Sequence, residues 1–313
     1  MTFDWNIVSD LRVLWQIPFM RNAFEAGTIT AVVAGIVGYL VVLRRSAFAT
    51  HALGHGGFSG AAGAVLFGVN PVYGLLIATM SGGVGMALLG RRASNRDIEI
   101  GTILAFMLGL GLVFLSLYNG YATEAYSILF GEILGISVAG VVLTLEAAIA
   151  VLVVLALIHR PLLFASLDPD VAEAKGLPLM ALGLAFMLLL AVAISFAVQI
   201  IGVLLIFALM VTPAASAVRL SKRPLYAITI AVMIAVLATW LGLFLSWACS
   251  QPGSGCDAPY PASFFIVTFA FGTYVVVRLV DWLVHRGTGR STVMARSSSG
   301  AVPDAAESSA DLP

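Results

Sequence analysis

The sequence predicts an all-α fold: a polytopic integral membrane helical bundle of eight or nine transmembrane helices. Three observations carry that prediction, namely composition, the spacing of apolar stretches and the placement of basic residues. Of 313 residues, 60% are hydrophobic and only 10% are charged, with a mean hydropathy of +1.03. An average soluble domain is about 25% charged, so this chain has too few charges to cover a water-facing surface. Sixteen basic residues balance sixteen acidic ones. No basic face therefore points to nucleic acid as a partner; the lipid bilayer is the partner that the composition demands.

A membrane-spanning helix needs about 20 mostly apolar residues. Apolar stretches run at 18–43, 50–68, 71–90, 98–118, 137–158, 177–197, 200–218, 225–248 and 262–284. The region 177–218 reads two ways, as two joined spans or as one span followed by broken half-helices that line a cavity. Hence the count of eight or nine. Arg44 and Arg45 follow the first stretch; Arg91, Arg92 and Arg96 the third; Arg160 and Lys175 the fifth; Arg219, Lys222 and Arg223 the seventh; and Arg286, Arg290 and Arg296 the last. With nine spans these all fall on one side, which the positive-inside rule makes the cytoplasm. The opposite side holds Arg12 and Arg21 among Asp4, Asp10, Glu124 and Asp257. The expected arrangement is a multi-pass protein of the bacterial cytoplasmic membrane, N-terminus outside and C-terminus inside. Residues 1–17 form a short extracytoplasmic segment without the basic start of a cleaved signal peptide. Residues 18–285 form the membrane domain, and 286–313, rich in Ser, Ala, Gly and Asp, read as a disordered cytoplasmic tail.

The chain has four histidines, and two of them form H-A-L-G-H at the start of the second stretch. Spacing i, i+4 places His51 and His55 on one helical face, one turn apart. Neutral imidazole is a common transition-metal ligand, although two ligands are half of what a closed zinc site uses. A two-fold axis through a homodimer would double them. The alternative is that both rings hydrogen-bond within a tightly packed, glycine-rich stretch. His159 and His285 stand beside arginines at span ends and read as interfacial. Cys249 and Cys256 share the loop CSQPGSGC on the outer side, where a disulfide is permitted; two unpaired thiols are the alternative.

Residues 54–60, GHGGFSG, are glycine-rich, but the phosphate-binding pattern G-x-x-x-x-G-K-[ST] occurs nowhere in the chain. Any ATP hydrolysis must come from a separate polypeptide, so the chain is not expected to be an enzyme. The loop LDPDVAEAKGLPL, 167–179, has Asp168 placed to cap a short helix, Pro169 at its first position, Asp170 and Glu173 following, and Gly176 at its end. Such a helix suits docking into a partner's groove; a plain polar connector is the other reading. Glu146, midway along the fifth stretch, must be protonated, paired or turned to water. Gln199 and Thr212-Pro213 mark irregular or pathway-lining points, and Glu99 lies near the cytoplasmic edge.

Four stretches, in order, resemble the permease family of zinc and manganese ABC importers. FMRNAFEAGTITAVVAGIVGYLVVLRRSAFATHALGH (19–55) resembles that family's opening span and the segment after it. LFGEILGIS (129–137) is similar to its re-entrant region, DPDVAEAKGLPL (168–179) to its ATPase-coupling loop, and VQIIGVLLIFALMVTPAASA (198–217) to a late span. The resemblance covers roughly residues 18–285. It implies an importer-type ABC transmembrane domain that works with a cytoplasmic ATPase subunit, an extracytoplasmic metal-binding protein and a second permease copy. A zinc or manganese ion would be transported and no cofactor held permanently. Family members read D-x-x-x-H near the second span. Here His55 matches the histidine and His51 occupies the place of the aspartate. Imidazole suits zinc better than manganese, so zinc is favoured. The coupling role falls on Asp168, Asp170, Glu173 and Gly176. The competing expectations are a permease for a metal chelate or vitamin, and an ion-coupled secondary carrier.

Overall fold

The computed structural model describes residues 14–89, 96–118, 131, 133–251, 256 and 260–298. Every regular element among them is a helix. In chain order these are α1 (Pro18–Leu43), α2 (Ala47–Leu66), α3 (Pro71–Leu89), α4 (Arg96–Leu117), α5 (Val138–Leu167), α6 (Pro169–Ala174), α7 (Leu179–Ile201), α8 (Val203–Leu220), α9 (Pro224–Cys249) and α10 (Ala262–Ser298). The nine longer helices fall on the nine apolar stretches, and α6 falls on the acidic loop. Pro18, Pro169 and Pro224 open their helices, where the missing N–H leaves no intrahelical bond unmade. Ser137 caps α5 by accepting from the Gly140 N–H at 3.2 Å.

Seven of the described helices, α1, α3, α4, α5, α7, α9 and α10, are long and apolar enough to cross a membrane. The two others are explained by where they sit. α2 is rich in Gly and Ala and carries both paired histidines, and it is surrounded by α3, α4, α7 and α8. Protein rather than lipid faces most of it, so its side chains need to be small more than hydrophobic. α8 has an apolar run, Leu205–Leu220, just short of a full span. It meets α7 at Gly202, whose φ of +95° and ψ of 158° lie outside the range open to residues with a Cβ. The region 177–218 is thus two helices broken at one glycine.

The interior is built on α1 and α7, each with 67% of its apolar window buried, against 17% for α4. Phe186, Leu190 and Ile194 of α7 are fully enclosed. Backbones approach closely where side chains vanish: a Cβ on Gly60 would collide with the Gly74 carbonyl, so α2 and α3 touch through bare backbone. Two buried hydroxyls, Thr79 of α3 and Ser195 of α7, lie 2.6 Å apart and each also bonds its own helix. Between α4 and α5, Gly131 rests against the backbone of Ile200–Gly202, while the Asn22 amide donates to the Ile136 carbonyl at 3.2 Å. Gly131 thus sits at the α7–α8 break, and Ile136 is tied to α1.

The tail differs from expectation over its first part. α10 continues as helix to Ser298, beyond Val284 where its apolar span ends, because extending an established helix is far easier than starting one. Residues 299–313, like 1–13, lie outside the described residues.

Candidate transit and coupling sites

α1 ends at a joint of three residues. Arg45 adopts φ +52°, the Ser46 N–H bonds back to the Val41 carbonyl at 2.8 Å, and the Ser46 hydroxyl donates to the Arg44 carbonyl at 3.2 Å. α2 starts immediately afterwards, so His51 falls in its second turn. The His51 and His55 rings stand edge to face with centroids 4.5 Å apart and planes at 72°. Phe207 of α8 packs its ring against His51 at 5.5 Å. Ala52, Leu53, Gly54 and Gly56 are buried while both histidines are half-buried. The imidazoles therefore lie along the side of α2 that its neighbours do not fully close. Phe207, Val211 and Ala215, at four-residue intervals, form a half-open strip on α8, which meets the histidines at Phe207.

Chemically the pair offers one ligating nitrogen from each ring. Two imidazoles on one turn can share one cation, leaving the remaining positions to water or to groups from elsewhere. Among the described residues no group of three or more His, Cys, Asp or Glu gathers. Glu146 is exposed on the outer face of α5, between exposed Val142 and Ile149. Gln199 is half-buried in the last turn of α7. Neither joins the histidine pair. Glu99, in the first turn of α4, keeps Oε2 buried with no hydrogen-bond partner.

The acidic loop folds as its residue types dictate. Asp168 Oδ1 accepts from the Val171 N–H at 3.1 Å, capping α6. Gly176 ends it at φ +79°, with the Leu177 N–H bonded to the Ala172 carbonyl at 3.1 Å and the Gly176 N–H to the Glu173 carbonyl at 2.8 Å. Ala172 is enclosed and anchors the helix, whereas Asp168, Asp170, Glu173 and Gly176 are exposed. Leu167 and Val171, one turn apart and 66% and 42% exposed, lay an apolar strip beside the acids. Far along the chain, Cys249 and Cys256 are joined, with Cα atoms 5.3 Å apart.

Two residues with structural weight were not visible as such in the sequence. Phe207 looked like one more apolar residue of a span. Arg44 looked like an interfacial charge, yet it reaches Ser166, a residue 122 positions away, and no local pattern signals a pairing at that separation.

The sequence profile of the ABC 3 transport family matches residues 16–272. The manganese transport system membrane protein MntC of Listeria monocytogenes is 27% identical over 262 residues, covering 83% of this chain and 93% of that one. The manganese import system permease protein ScaB of Streptococcus parasanguinis is 28% identical, covering 82% and 91%. Among solved structures, PsaBC from Streptococcus pneumoniae in complex with Fab superposes with a TM-score of 0.75 at 25% identity, covering 87% of this chain and 95% of that chain.

Proposed function

This chain belongs to the ABC 3 transport family, and on that premise we propose that it is the membrane permease of an ATP-driven importer for a divalent transition-metal ion. The observation that carries the reading is the His51–His55 pair, two ligating rings 4.5 Å apart on a half-open side of an interior helix. A pathway needs ligands that hold an ion and release it. A ring pair with its remaining coordination positions open can do that.

The chain offers a path and a docking surface, and ATP binding and hydrolysis fall to a separate cytoplasmic subunit. The exposed strip of Leu167, at the end of α5, and Val171 of α6, bordered by Asp168, Asp170 and Glu173, is the surface it engages. A metal-loaded binding protein delivers the ion at the opposite face, and the pathway alternates between outward- and inward-open states. A second copy completes the transporter. Glu146 supports that assembly: a carboxyl group on the exposed face of a spanning helix is costly against lipid, and a second permease lying over α5 would cover it. The one-sided Lys and Arg pattern supports a cytoplasmic α6 and C-terminus and an outer Cys249–Cys256 loop.

Manganese is the cargo named for MntC and ScaB. His51 favours zinc here, because it presents a nitrogen where the resemblance expects a carboxylate. Uptake of radioactive zinc and manganese by cells expressing the permease with its ATPase tests the reading. His55→Ala should lower uptake by about ten-fold or more, the scale of a lost metal-supporting group. Uptake at the unsubstituted rate would remove His55 from the path, and uptake without the ATPase would favour a secondary carrier.

A further inference from the structure

α6 is the connector between α5 and α7, and Arg44 holds both of its stems. The Arg44 Nη1 donates to the Ser166 hydroxyl at 3.0 Å, three residues before α6 begins. Ser166 in turn donates to the Leu162 carbonyl, which turns its lone pairs to the guanidinium. The same guanidinium lies 5.0 Å over the ring of Phe186 in α7, a residue fully enclosed in the core. Arg44 also closes α1 and leads directly into α2. Only Arg45, held at φ +52°, and Ser46, buried with its hydroxyl on the Arg44 carbonyl, separate it from the helix of His51 and His55. The joint has little slack: Arg44, Arg45 and Ser46 each bond backward into the last turn of α1. A shift of the α5 or α7 stem therefore pulls on the start of α2.

We propose that Arg44 is a positioning residue that transmits displacement of the α6 connector to the histidine helix α2. The proposal rests on the reading of α6 as the ATPase-docking element and of His51–His55 as the transit ligands. That role requires no contact of Arg44 with the ion or with the ATPase. It acts by making the α5 stem, the α7 stem and the α1–α2 joint move as one body. Arginine suits the task because its planar fork can donate to a hydroxyl and stack on an aromatic face at once.

The test uses the permease co-purified with its ATPase and reconstituted into liposomes, with Mn2+ as the probe. Arg44→Gln should lower Mn2+ taken up per ATP hydrolysed by about five-fold, within the range of known coupling effects. ATPase co-purification and Mn2+ affinity of the detergent-solubilised complex should stay within about two-fold. Arg44→Lys, which keeps a cation over Phe186, should recover part of the ratio. Ser166→Ala should lower it as Arg44→Gln does, and the double variant should be no worse than either, as for two ends of one link. An unchanged ratio in Arg44→Gln overturns the proposal. So does a fall in affinity that matches the fall in uptake, which marks Arg44 as scaffolding, and so do additive losses in the double variant. Failure of the underlying reading is separable: Asp170→Lys with Glu173→Lys would then leave ATPase co-purification intact, whatever Arg44 does.

Discussion

At the scale of single residues, two positions show opposite kinds of constraint. Gly176 sits at φ +79° with nothing within 4 Å of where a Cβ would stand, so a substitution there meets only backbone strain. Gly176→Ala should weaken the end of α6 by about 1 kcal/mol, the cost of a left-handed conformation with a Cβ. The measurement is hydrogen exchange over residues 168–177, where protection should fall about five-fold. An unchanged exchange rate would mean that the turn has other support. His51 is constrained by chemistry instead. Its ring is fixed between His55 and Phe207, and a carboxylate in its place offers oxygen rather than nitrogen. His51→Asp should shift uptake toward manganese over zinc, read as the ratio of the two in a competition assay. A ratio that does not move would take His51 out of the ligand set.

At the scale of elements, α2 and α6 carry the transit and docking assignments, and neither is among the seven helices apolar enough to count as a span. The reason is the same in both cases. An element that handles an ion or a partner has to hold polar groups, and it is kept in place by its neighbours rather than by lipid. α6 is held by Ala172, by the Asp168 cap and by the stems of α5 and α7. Its acidic, partly apolar outer face is left for a partner. Reversing that face with Asp170→Lys and Glu173→Lys should reduce ATPase co-purification with the permease by about ten-fold or more, because charge reversal at a docking surface opposes its partner. Both residues are exposed and no described hydrogen bond or ion pair holds either side chain, so the helix itself should persist, which circular dichroism of the purified variant would check.

At the scale of the whole molecule, the exposed Glu146 makes α5 the face where the proposed second copy is tested. If α5 lies against a second copy, Glu146→Cys should give a disulfide-linked dimer on mild oxidation in membranes, resolved on a non-reducing gel. The native cysteines are joined to each other and should contribute little background. A cysteine at Met233, on the exposed side of α9, serves as the comparison; equal cross-linking at both positions would remove the special status of α5.

The sequence by itself determined the class and the order of the molecule. Composition required a bilayer, nine apolar stretches became the nine long helices, and the Asp168–Gly176 pattern folded as a capped short helix. Each of these comes from local rules: burial of apolar surface, helical periodicity and the conformations open to Pro, Asp and Gly. Tertiary structure alone decided which helices lie inside. It also broke 177–218 at Gly202, set Phe207 against His51, and joined Arg44 to Ser166 and Phe186. These depend on packing between segments far apart in the chain, and the hydropathy of a helix does not record whether its neighbour is lipid or protein. For that reason the helix of His51 and His55 read in the sequence as a span like the others, and Arg44 read as one more positive charge at the membrane edge.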